Sequence, residues 1–123
     1  MAQVLVIDDD ALYRGTIRLI LEDGGHRVME AQDGTEGIAT YKERRPDVVI
    51  TDLLMPDMDG DEVIRAIKRF DKNARVIAIS GSGAFYDVNH AEAARKLGAA
   101  AILRKLDSAQ LVLAEVARVL EGR

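Results

Sequence analysis

The chain has no cysteine, and this absence removes whole classes of chemistry. Without thiols there is no disulfide, no thiolate zinc site and no cysteine nucleophile. The absence also fits a reducing cytoplasm, which is where we expect the protein to act. The first residues lack the basic segment of a signal peptide, and no apolar run approaches the roughly 20 residues that span a bilayer. We therefore expect neither a leader nor a membrane segment.

Positive charge is also scarce. Lysine and arginine number 17 against 21 acidic residues, a formal net charge of −4. This balance argues against nonspecific binding to nucleic acid, because such binding needs clustered positive charge. Hydrophobic residues make up 48% and charged residues 31% of the 123 positions, as in an ordinary folded protein. The length suits one domain, residues 1–123, and no linker, repeat or low-complexity tract divides it.

Apolar runs of strand length alternate with amphipathic segments of helix length. The runs lie at residues 4–7, 27–30, 48–51, 76–79 and 100–103. The helical segments lie at about residues 12–22, 34–44, 60–70, 87–97 and 108–120. Because the strands read as continuous apolar runs, both faces of their sheet should be covered, which is typical of a parallel α/β sheet. The sequence therefore predicts five parallel strands with helices on both faces.

Short-range spacing predicts how the helices begin and which side chains they bury. Asp10 lies just before the first helix, and Asp33, Asp59 and Asp107 each precede a Glu or Gln by three residues, so we expect all four to be helix caps. The expected apolar positions are Leu12, Thr16, Leu19 and Ile20 in the first helix, Val63, Ile67 and Phe70 in the third, and Ala109, Val112, Leu113, Val116, Ala117 and Leu120 in the last.

Polar side chains follow the strands at the edge where open parallel sheets bind ligands. They are Asp8 and Asp9 after the first strand, Asp52 after the third, Ser80 and Gly81 after the fourth, and Lys105 after the fifth. Carboxylates this close repel one another unless a cation is present, and Mg²⁺ suits them because it prefers carboxylate, water and phosphate oxygens. Lys105 can neutralise charge, Ser80 can donate a hydrogen bond, and Gly81 leaves backbone N–H groups approachable. The set predicts in-line phosphoryl transfer to a carboxylate.

Four stretches of the chain resemble the receiver domains of two-component response regulators. They are VLVIDDD at residues 4–10, DVVITDLLMPDMDG at 47–60, VIAISG at 76–81 and LGAAAILRK at 97–105. The resemblance extends over about residues 3–120. It implies a flavodoxin-like sheet with the strand order 2-1-3-4-5. It also implies a domain that receives a phosphoryl group from a phosphohistidine on a histidine kinase or phosphotransfer protein.

The resemblance assigns the phosphoacceptor and the metal ligands. Asp52 would be the phosphoacceptor. Asp9, Asp52 and the main-chain carbonyl of Leu54 would bind Mg²⁺, for which Mn²⁺ could substitute. Asp8 would act on the metal directly or through a water. All of these residues belong to two of the matching stretches, residues 4–10 and 47–60.

The resemblance also implies which residues bind and retain the phosphoryl group. Ser80 would be the switch hydroxyl, and Gly81 and Lys105 would complete the phosphate-binding group. Leu54 and Ser82 stand at positions that tune the lifetime of the phosphate in this family. Since the Leu54 side chain cannot hydrogen-bond to an attacking water, we expect slow intrinsic hydrolysis.

The chain departs from the family pattern in three places. Leu106 follows Lys105 where the family usually has a cis proline, and a non-proline cis bond costs ~3–4 kcal/mol, so a trans bond is expected. Ile102 stands where the family often has an aromatic switch residue, and it cannot report activation by rotating a ring. The segment after Ser80 is longer than usual, and its Phe85 or Tyr86 would either replace that ring or pack against the neighbouring helix.

Other functions stay open at this point. Asp8 and Asp10 also fit the start of haloacid-dehalogenase-type phosphatases, as nucleophile and acid, although that reading leaves Asp52 without a role. A receiver-like domain can instead serve as a docking scaffold without phosphorylation. A receiver would act either alone on a downstream protein or with an attached output domain, as a monomer or a phosphorylation-driven dimer. We expect no catalysis beyond its own phosphorylation and dephosphorylation, and no direct contact with nucleic acid or membrane.

Overall fold

The computed structural model describes residues 1–81 and 88–122, without the side chains of residues 88–90. The strands are β1 (Gln3–Ile7), β2 (Arg27–Ala31), β3 (Val48–Asp52), β4 (Val76–Ser80) and β5 (Ala101–Arg104). The helices are α1 (Ala11–Asp23), α2 (Gly34–Arg44), α3 (Gly60–Phe70), α4 (Val88–Lys96) and α5 (Ala109–Glu121). The predicted elements are confirmed in type and order, and their ends differ by about one residue. The expected start of the fourth helix at Asp87 lies outside the described residues.

The strands of the described residues form one parallel sheet with the order β2-β1-β3-β4-β5. β1 pairs with β2 on one side and β3 on the other, and β4 joins β3 to β5. The predicted flavodoxin-like order is therefore confirmed. The carboxyl ends of all these strands meet at a single edge of the sheet, because the strands are parallel.

The sheet separates two layers of buried side chains. On one face Leu5 and Ile7 of β1 pack with buried side chains of α2, α3 and α4. On the other face Val4 and Val6 pack with α1 and α5. This alternation follows from the pleat of the strand, in which neighbouring side chains point to opposite faces. Helices on both faces, as predicted, leave β3 and β4 buried at every residue. Among the described helices, none has the length and apolar character needed to cross a membrane.

Side-chain caps begin the helices, and three of the four predicted caps are confirmed. The side chains of Asp10, Asp33 and Asp59 accept hydrogen bonds from backbone N–H groups in the first turns of α1, α2 and α3. The prediction for Asp107 is wrong, because Ser108 caps α5 by accepting from the N–H of Leu111. The Asp107 carboxylate instead accepts from the N–H of Arg104 at 2.7 Å, which closes the turn that leaves β5.

The buried faces of α1, α3 and α5 differ in part from the expected ones. In α1, Ile17 and Leu21 are buried, whereas Leu12 and Leu19 are 82% and 70% exposed. The physical reason is that Tyr13, Ile17 and Leu21, spaced by four residues, form the row that faces the sheet. The remaining differences are that Thr16, Phe70, Ala109 and Ala117 are exposed and Val119 is buried.

Candidate functional site

Two buried carboxylates mark the carboxyl edge of the sheet. Asp8 follows β1 and is 1% exposed, and Asp52 ends β3 and is 4% exposed. Asp9 lies beside them with its side chain exposed. One carboxylate oxygen from each of these three residues lies within 4.8 Å of the others. The structure therefore brings together the acidic residues that the sequence placed at neighbouring strand ends.

Three hydrogen bonds hold Asp8, two through its backbone and one through its carboxylate. Its N–H donates to the carbonyl of Ala31 at 3.1 Å. Its carbonyl accepts from Nη1 of Arg14 at 2.7 Å, and its Oδ1 accepts from the N–H of Asp10 at 2.9 Å. The other carboxylate oxygen, Oδ2, is buried and has no hydrogen-bond partner among the described residues. A buried anionic oxygen without a partner needs a nearby cation.

Asp52 is held by the loop that follows β3. Its Oδ1 accepts from the N–H of Leu54 at 3.1 Å. The loop closes tightly, since the N–H of Gly60 donates to the carbonyl of Leu53 at 2.9 Å. A Cβ at position 60 would lie 2.6 Å from both the Asp52 carbonyl oxygen and the Leu53 Cα. Only a glycine at the start of α3 allows the helix to approach the strand end this closely.

Lys105 supplies the positive charge of the site. Its Nζ lies 3.2 Å from Oδ2 of Asp52 and 3.5 Å from Oδ2 of Asp8. Its backbone N–H donates to the carbonyl of Ser80 at 3.2 Å, which ties the end of β5 to the end of β4. The bond to Leu106 is trans, as expected, because no cis peptide occurs among the described residues. The trans bond therefore still allows the amine to reach both carboxylates.

The charges of the site shift the ionisation of its groups. Burial raises the pKa of Asp8 to about 6; the hydrogen bond from Asp10 opposes this shift, and the negative charge of Asp52 adds to it. Burial acts to lower the pKa of Lys105, but the charges of Asp52 and Asp8 outweigh it and raise that pKa. The pocket thus carries more negative charge than one lysine can balance. Hard oxygen donors in this setting fit Mg²⁺.

Ser80, Gly81 and Ile102 are the remaining predicted site residues that the structure describes. Ser80 is buried at the end of β4, and Gly81 follows it, partly buried. Ile102 lies on β5 beside Ala78 of β4 and is partly buried among the side chains under α2, α3 and α4. Ser82 and the two aromatic residues Phe85 and Tyr86 lie outside the described residues.

Two further residues lie at the site, both on α1, and no motif in the sequence identifies either of them. The ring of Tyr13 lies with its centroid 5.0 Å from Nζ of Lys105. Besides its bond to Asp8, Arg14 donates from Nε to Glu30 of β2 at 2.7 Å. The cap at Asp10 fixes where the first turn of α1 lies, but the partners of Tyr13 and Arg14 come from distant strands, so spacing alone could not identify them.

Exposed leucines lie next to the acidic pocket in sequence. Leu12 in the first turn of α1, Leu54 after β3 and Leu106 after β5 are 82%, 51% and 81% exposed. Each follows a strand whose carboxyl end bears a charged residue of the site. Exposed apolar side chains at the ligand-binding edge of a sheet are a feature that a protein partner can cover.

The description of one family model fits this geometry: the response regulator receiver domain matches residues 4–117. The chain therefore belongs to the response-regulator receiver family. The domains of this family act in signalling, in two-component systems. The membership agrees with the resemblance found in the sequence.

Named relatives agree with the family. The chemotaxis protein CheY of Bacillus subtilis is 40% identical over 82 residues, 66% of this chain and 68% of that protein. A response regulator receiver protein of Anaeromyxobacter is 34% identical over 105 residues, 85% of this chain and 43% of that protein. The crystal structure of a response regulator receiver domain protein from Clostridium thermocellum superposes with a TM-score of 0.91 at 35% identity, over 98% of this chain and 95% of that one.

Proposed function

We propose that residues 1–123 form a single receiver domain that accepts a phosphoryl group on Asp52 in a Mg²⁺-dependent reaction. The donor is a phosphohistidine on a histidine kinase or phosphotransfer protein, and the reaction takes place in the cytoplasm. The observation that carries the proposal is the convergence of Asp8, Asp9 and Asp52 within 4.8 Å, with the amine of Lys105 3.2 Å from Asp52. Capping explains Asp10 but not these carboxylates.

The donor set fits the metal that this reaction needs. Asp9, Asp52 and the main-chain carbonyl of Leu54 would hold Mg²⁺ or Mn²⁺, with Asp8 acting directly or through a water. The buried Oδ2 of Asp8 accepts no hydrogen bond among the described residues and has the Lys105 ammonium at 3.5 Å, so a cation bound in this pocket would add the charge that it lacks. When bound, the ion supplies positive charge to the carboxylates and to the oxygens of the transferring phosphoryl group.

Asp52 provides the nucleophile. Its carboxylate oxygen forms a bond to phosphorus while the bond from phosphorus to the donor imidazole nitrogen breaks, and the nitrogen keeps the electron pair. The products are an aspartyl phosphate and a free histidine. Lys105 already contacts Asp52 Oδ2. When Asp52 becomes phosphorylated, the ammonium group of Lys105 can therefore pair with the phosphoryl oxygens instead.

The phosphorylated state would be read through the residues around the phosphate. The hydroxyl of Ser80 and the backbone N–H groups near Gly81 would donate to the phosphoryl oxygens. Ile102 has no ring or hydroxyl to follow Ser80, so the change would reach the binding surface without the family's aromatic switch. The output is a changed surface for a downstream protein or an attached output domain, with dimerisation as one form of that change. Beyond its own phosphorylation and dephosphorylation, the domain would catalyse no reaction.

The exposed leucines support a protein as the phosphodonor. Leu12, Leu54 and Leu106 follow the strands that carry the acidic and basic groups, and all three side chains are exposed. A protein partner can bury such side chains, whereas a small phosphodonor cannot. The docking-scaffold alternative is less favoured. Burying carboxylates that repel one another costs free energy, and a scaffold that binds no metal would gain nothing in return.

The proposal is tested by following amide NMR signals during addition of Mg²⁺ and then of beryllofluoride, a stable phosphoryl mimic. Mg²⁺ should shift signals around Asp9 and Asp52, and the mimic should then shift Ser80 and Lys105. Asp52→Asn should lose the response to the mimic. Asp10→Asn is the matched control, because it removes a neighbouring carboxylate but keeps a capping side chain. If the wild-type domain bound neither ligand, the proposal would be wrong.

A further inference from the structure

The aromatic ring nearest to the acidic pocket, among the described residues, belongs to α1. Tyr13 lies with its ring beneath Nζ of Lys105, 5.0 Å from the ammonium nitrogen to the ring centroid. The same nitrogen contacts Oδ2 of Asp52 and Oδ2 of Asp8. Lys105 is therefore surrounded by two carboxylates and one π-face.

The ring is fixed by the helix that carries it. Asp10 caps α1 and accepts hydrogen bonds from the N–H groups of Leu12 and Tyr13, at 3.0 and 3.3 Å. The side chain of Tyr13 is partly buried and packs against the layer of Ile17 and Leu21. The cap restrains the backbone of Tyr13 and the packing restrains its ring. The ring is therefore already in place to contact a cation.

Lys105 has the opposite character. A lysine side chain has four flexible methylene groups, and its ammonium group is a point charge with no preferred geometry. Lys105 lies in the loop that follows the edge strand β5, and the next residue, Leu106, is 81% exposed. The carboxylate charges that attract the amine change when a cation or a phosphoryl group enters the pocket. The π-face of Tyr13 does not change.

We propose that Tyr13 is a positioning residue that holds the ammonium group of Lys105 at the acidic pocket, ready to bind phosphoryl oxygens. The inference rests on the proposed function and adds to it a residue outside the family motifs described above. A cation over an aromatic face is attracted by the ring quadrupole, and this attraction persists when the carboxylates are neutralised. The contact restricts the lysine before the phosphoryl group arrives, so less ordering is needed on binding.

The test compares two substitutions that differ only in the ring. Tyr13→Phe keeps the π-face, whereas Tyr13→Leu keeps an apolar side chain but removes the face. Beryllofluoride affinity is measured by NMR at saturating Mg²⁺. We expect Tyr13→Leu to weaken it ~2- to 10-fold and Tyr13→Phe to stay within about twofold of the wild-type value. Mg²⁺ affinity should change little in either variant, since neither substitution removes a metal ligand.

A second background separates positioning from packing. In Lys105→Met the amine is absent, so Tyr13→Leu should have no further effect on beryllofluoride affinity. An equal loss in both backgrounds would show that Tyr13 acts only by packing and would overturn the inference. So would equal affinities for Tyr13→Leu and the wild-type protein, or equal losses for the Leu and Phe variants.

A measurement without ligand keeps this inference distinct from the proposed function. The ring of Tyr13 should shift the NMR signals of the Lys105 ε-methylene protons, and the shift should disappear in Tyr13→Leu but remain in Tyr13→Phe. Absence of that shift in the wild-type protein would overturn the contact itself. Failure of the wild-type protein to bind Mg²⁺ or beryllofluoride, with the ring shift present, would instead overturn the proposed function.

Discussion

A single buried carboxylate, Asp8, shows how function can oppose stability in this molecule. The residue is 1% exposed, and its Oδ2 lacks a hydrogen-bond donor among the described residues. Burial raises its pKa to about 6, against an ordinary value of 3.8. The folded protein therefore holds a proton on Asp8 more tightly than the unfolded chain between about pH 4 and pH 6. Its contribution to the free energy of unfolding falls as the pH rises through this range and stays low above it.

We predict that Asp8→Asn stabilises the metal-free domain at neutral pH. The free energy of unfolding should exceed that of the wild type by about 2–3 kcal/mol at pH 8, and the difference should vanish toward pH 4, since a pKa unit corresponds to about 1.4 kcal/mol. Urea denaturation across this pH range measures it. Asp9→Asn provides the comparison for an exposed carboxylate of the same cluster. A difference that did not depend on pH would contradict the explanation from Asp8 ionisation.

Leu54 leads to a prediction about the lifetime of the phosphate. Its side chain is half-exposed close to Asp52, the proposed acceptor, and offers no hydrogen-bonding group to a water molecule. We predict that Leu54→Asn speeds loss of the phosphoryl group several-fold, because an amide can orient the attacking water. Intact-mass spectrometry after removal of the phosphodonor follows the decay. A wild-type half-life of only seconds, or an unchanged rate in the variant, would show that Leu54 does not limit hydrolysis.

The residues of the site differ in how far the sequence could predict them. Asp8, Asp9, Asp52 and Lys105 could be placed together because each follows a strand, and parallel strands end at one edge. Tyr13 could not, since its contact with Lys105 depends on how the first turn of α1 and the loop after β5 approach each other. Asp107 and Ser108 are adjacent, and either could cap α5. Because Asp107 accepts a hydrogen bond from the N–H of Arg104, Ser108 is the cap. Local spacing contains no information about that choice.

At the scale of elements, the approach of α3 to β3 depends on one glycine. A Cβ at position 60 would collide with backbone atoms of Asp52 and Leu53, which cannot move without shifting the loop that holds Leu54. We predict that Gly60→Ala lowers the free energy of unfolding by about 1–3 kcal/mol, as overpacking does elsewhere, and weakens Mg²⁺ binding. Denaturation and Mg²⁺ titration measure the two effects.

Gly15 in α1 provides the matched control for Gly60. A Cβ at position 15 would meet nothing within 4 Å. The same substitution there should stabilise the protein by about 0.5–1 kcal/mol through helix propensity and leave Mg²⁺ affinity unchanged. Similar losses at both positions would rule out the steric explanation for Gly60.

The salt bridge between α1 and β2 leads to a prediction about metal binding. Arg14 contacts Glu30 and the carbonyl of Asp8 at the same time, with both distances 2.7 Å. Lysine lacks the forked donors needed to make both contacts, so Arg14→Lys should loosen the loop that carries Asp8 and Asp9, the proposed metal ligands, and weaken Mg²⁺ binding a few-fold. Arg18→Lys changes the half-exposed arginine whose ion pairs are with Glu30 and Glu22, and it should leave Mg²⁺ affinity unchanged. Equal effects of the two substitutions in a Mg²⁺ titration would contradict the role of Arg14.

The sequence pattern was sufficient to predict the strands and helices. It was not sufficient to predict which face of a helix packs against the sheet. Strands buried on both faces read as continuous apolar runs, and this pattern identified β3 and β4 directly. The face that α1 turns to the sheet was not predictable in the same way. Leu12 and Leu19 are as apolar as Ile17 and Leu21, and the contacts of Tyr13 and Arg14 with other elements help to fix the rotation of the helix.

At the scale of the whole molecule, the sheet separates two layers of buried side chains, and residues near the site pack in both of them. Ile102, the residue expected from the family pattern to stand at the switch position, packs in the layer under α2, α3 and α4. Tyr13 packs in the opposite layer with α1 and α5. The ring that contacts Lys105 therefore lies on the other face of the sheet from Ile102.

The strand order has a consequence for how the protein opens in its native state. Asp8 follows β1 and Asp52 ends β3, and each of these strands has a neighbour on both sides, whereas Lys105 follows β5, an edge strand paired only with β4. Amide hydrogen exchange should be slowest in β1 and β3 and faster in β5, since edge elements can detach without global unfolding. Uniform protection across the sheet would contradict this expectation. The negative half of the pocket then belongs to the last part of the molecule to open, and the positive half to a part that can release and return while the acidic residues stay in register.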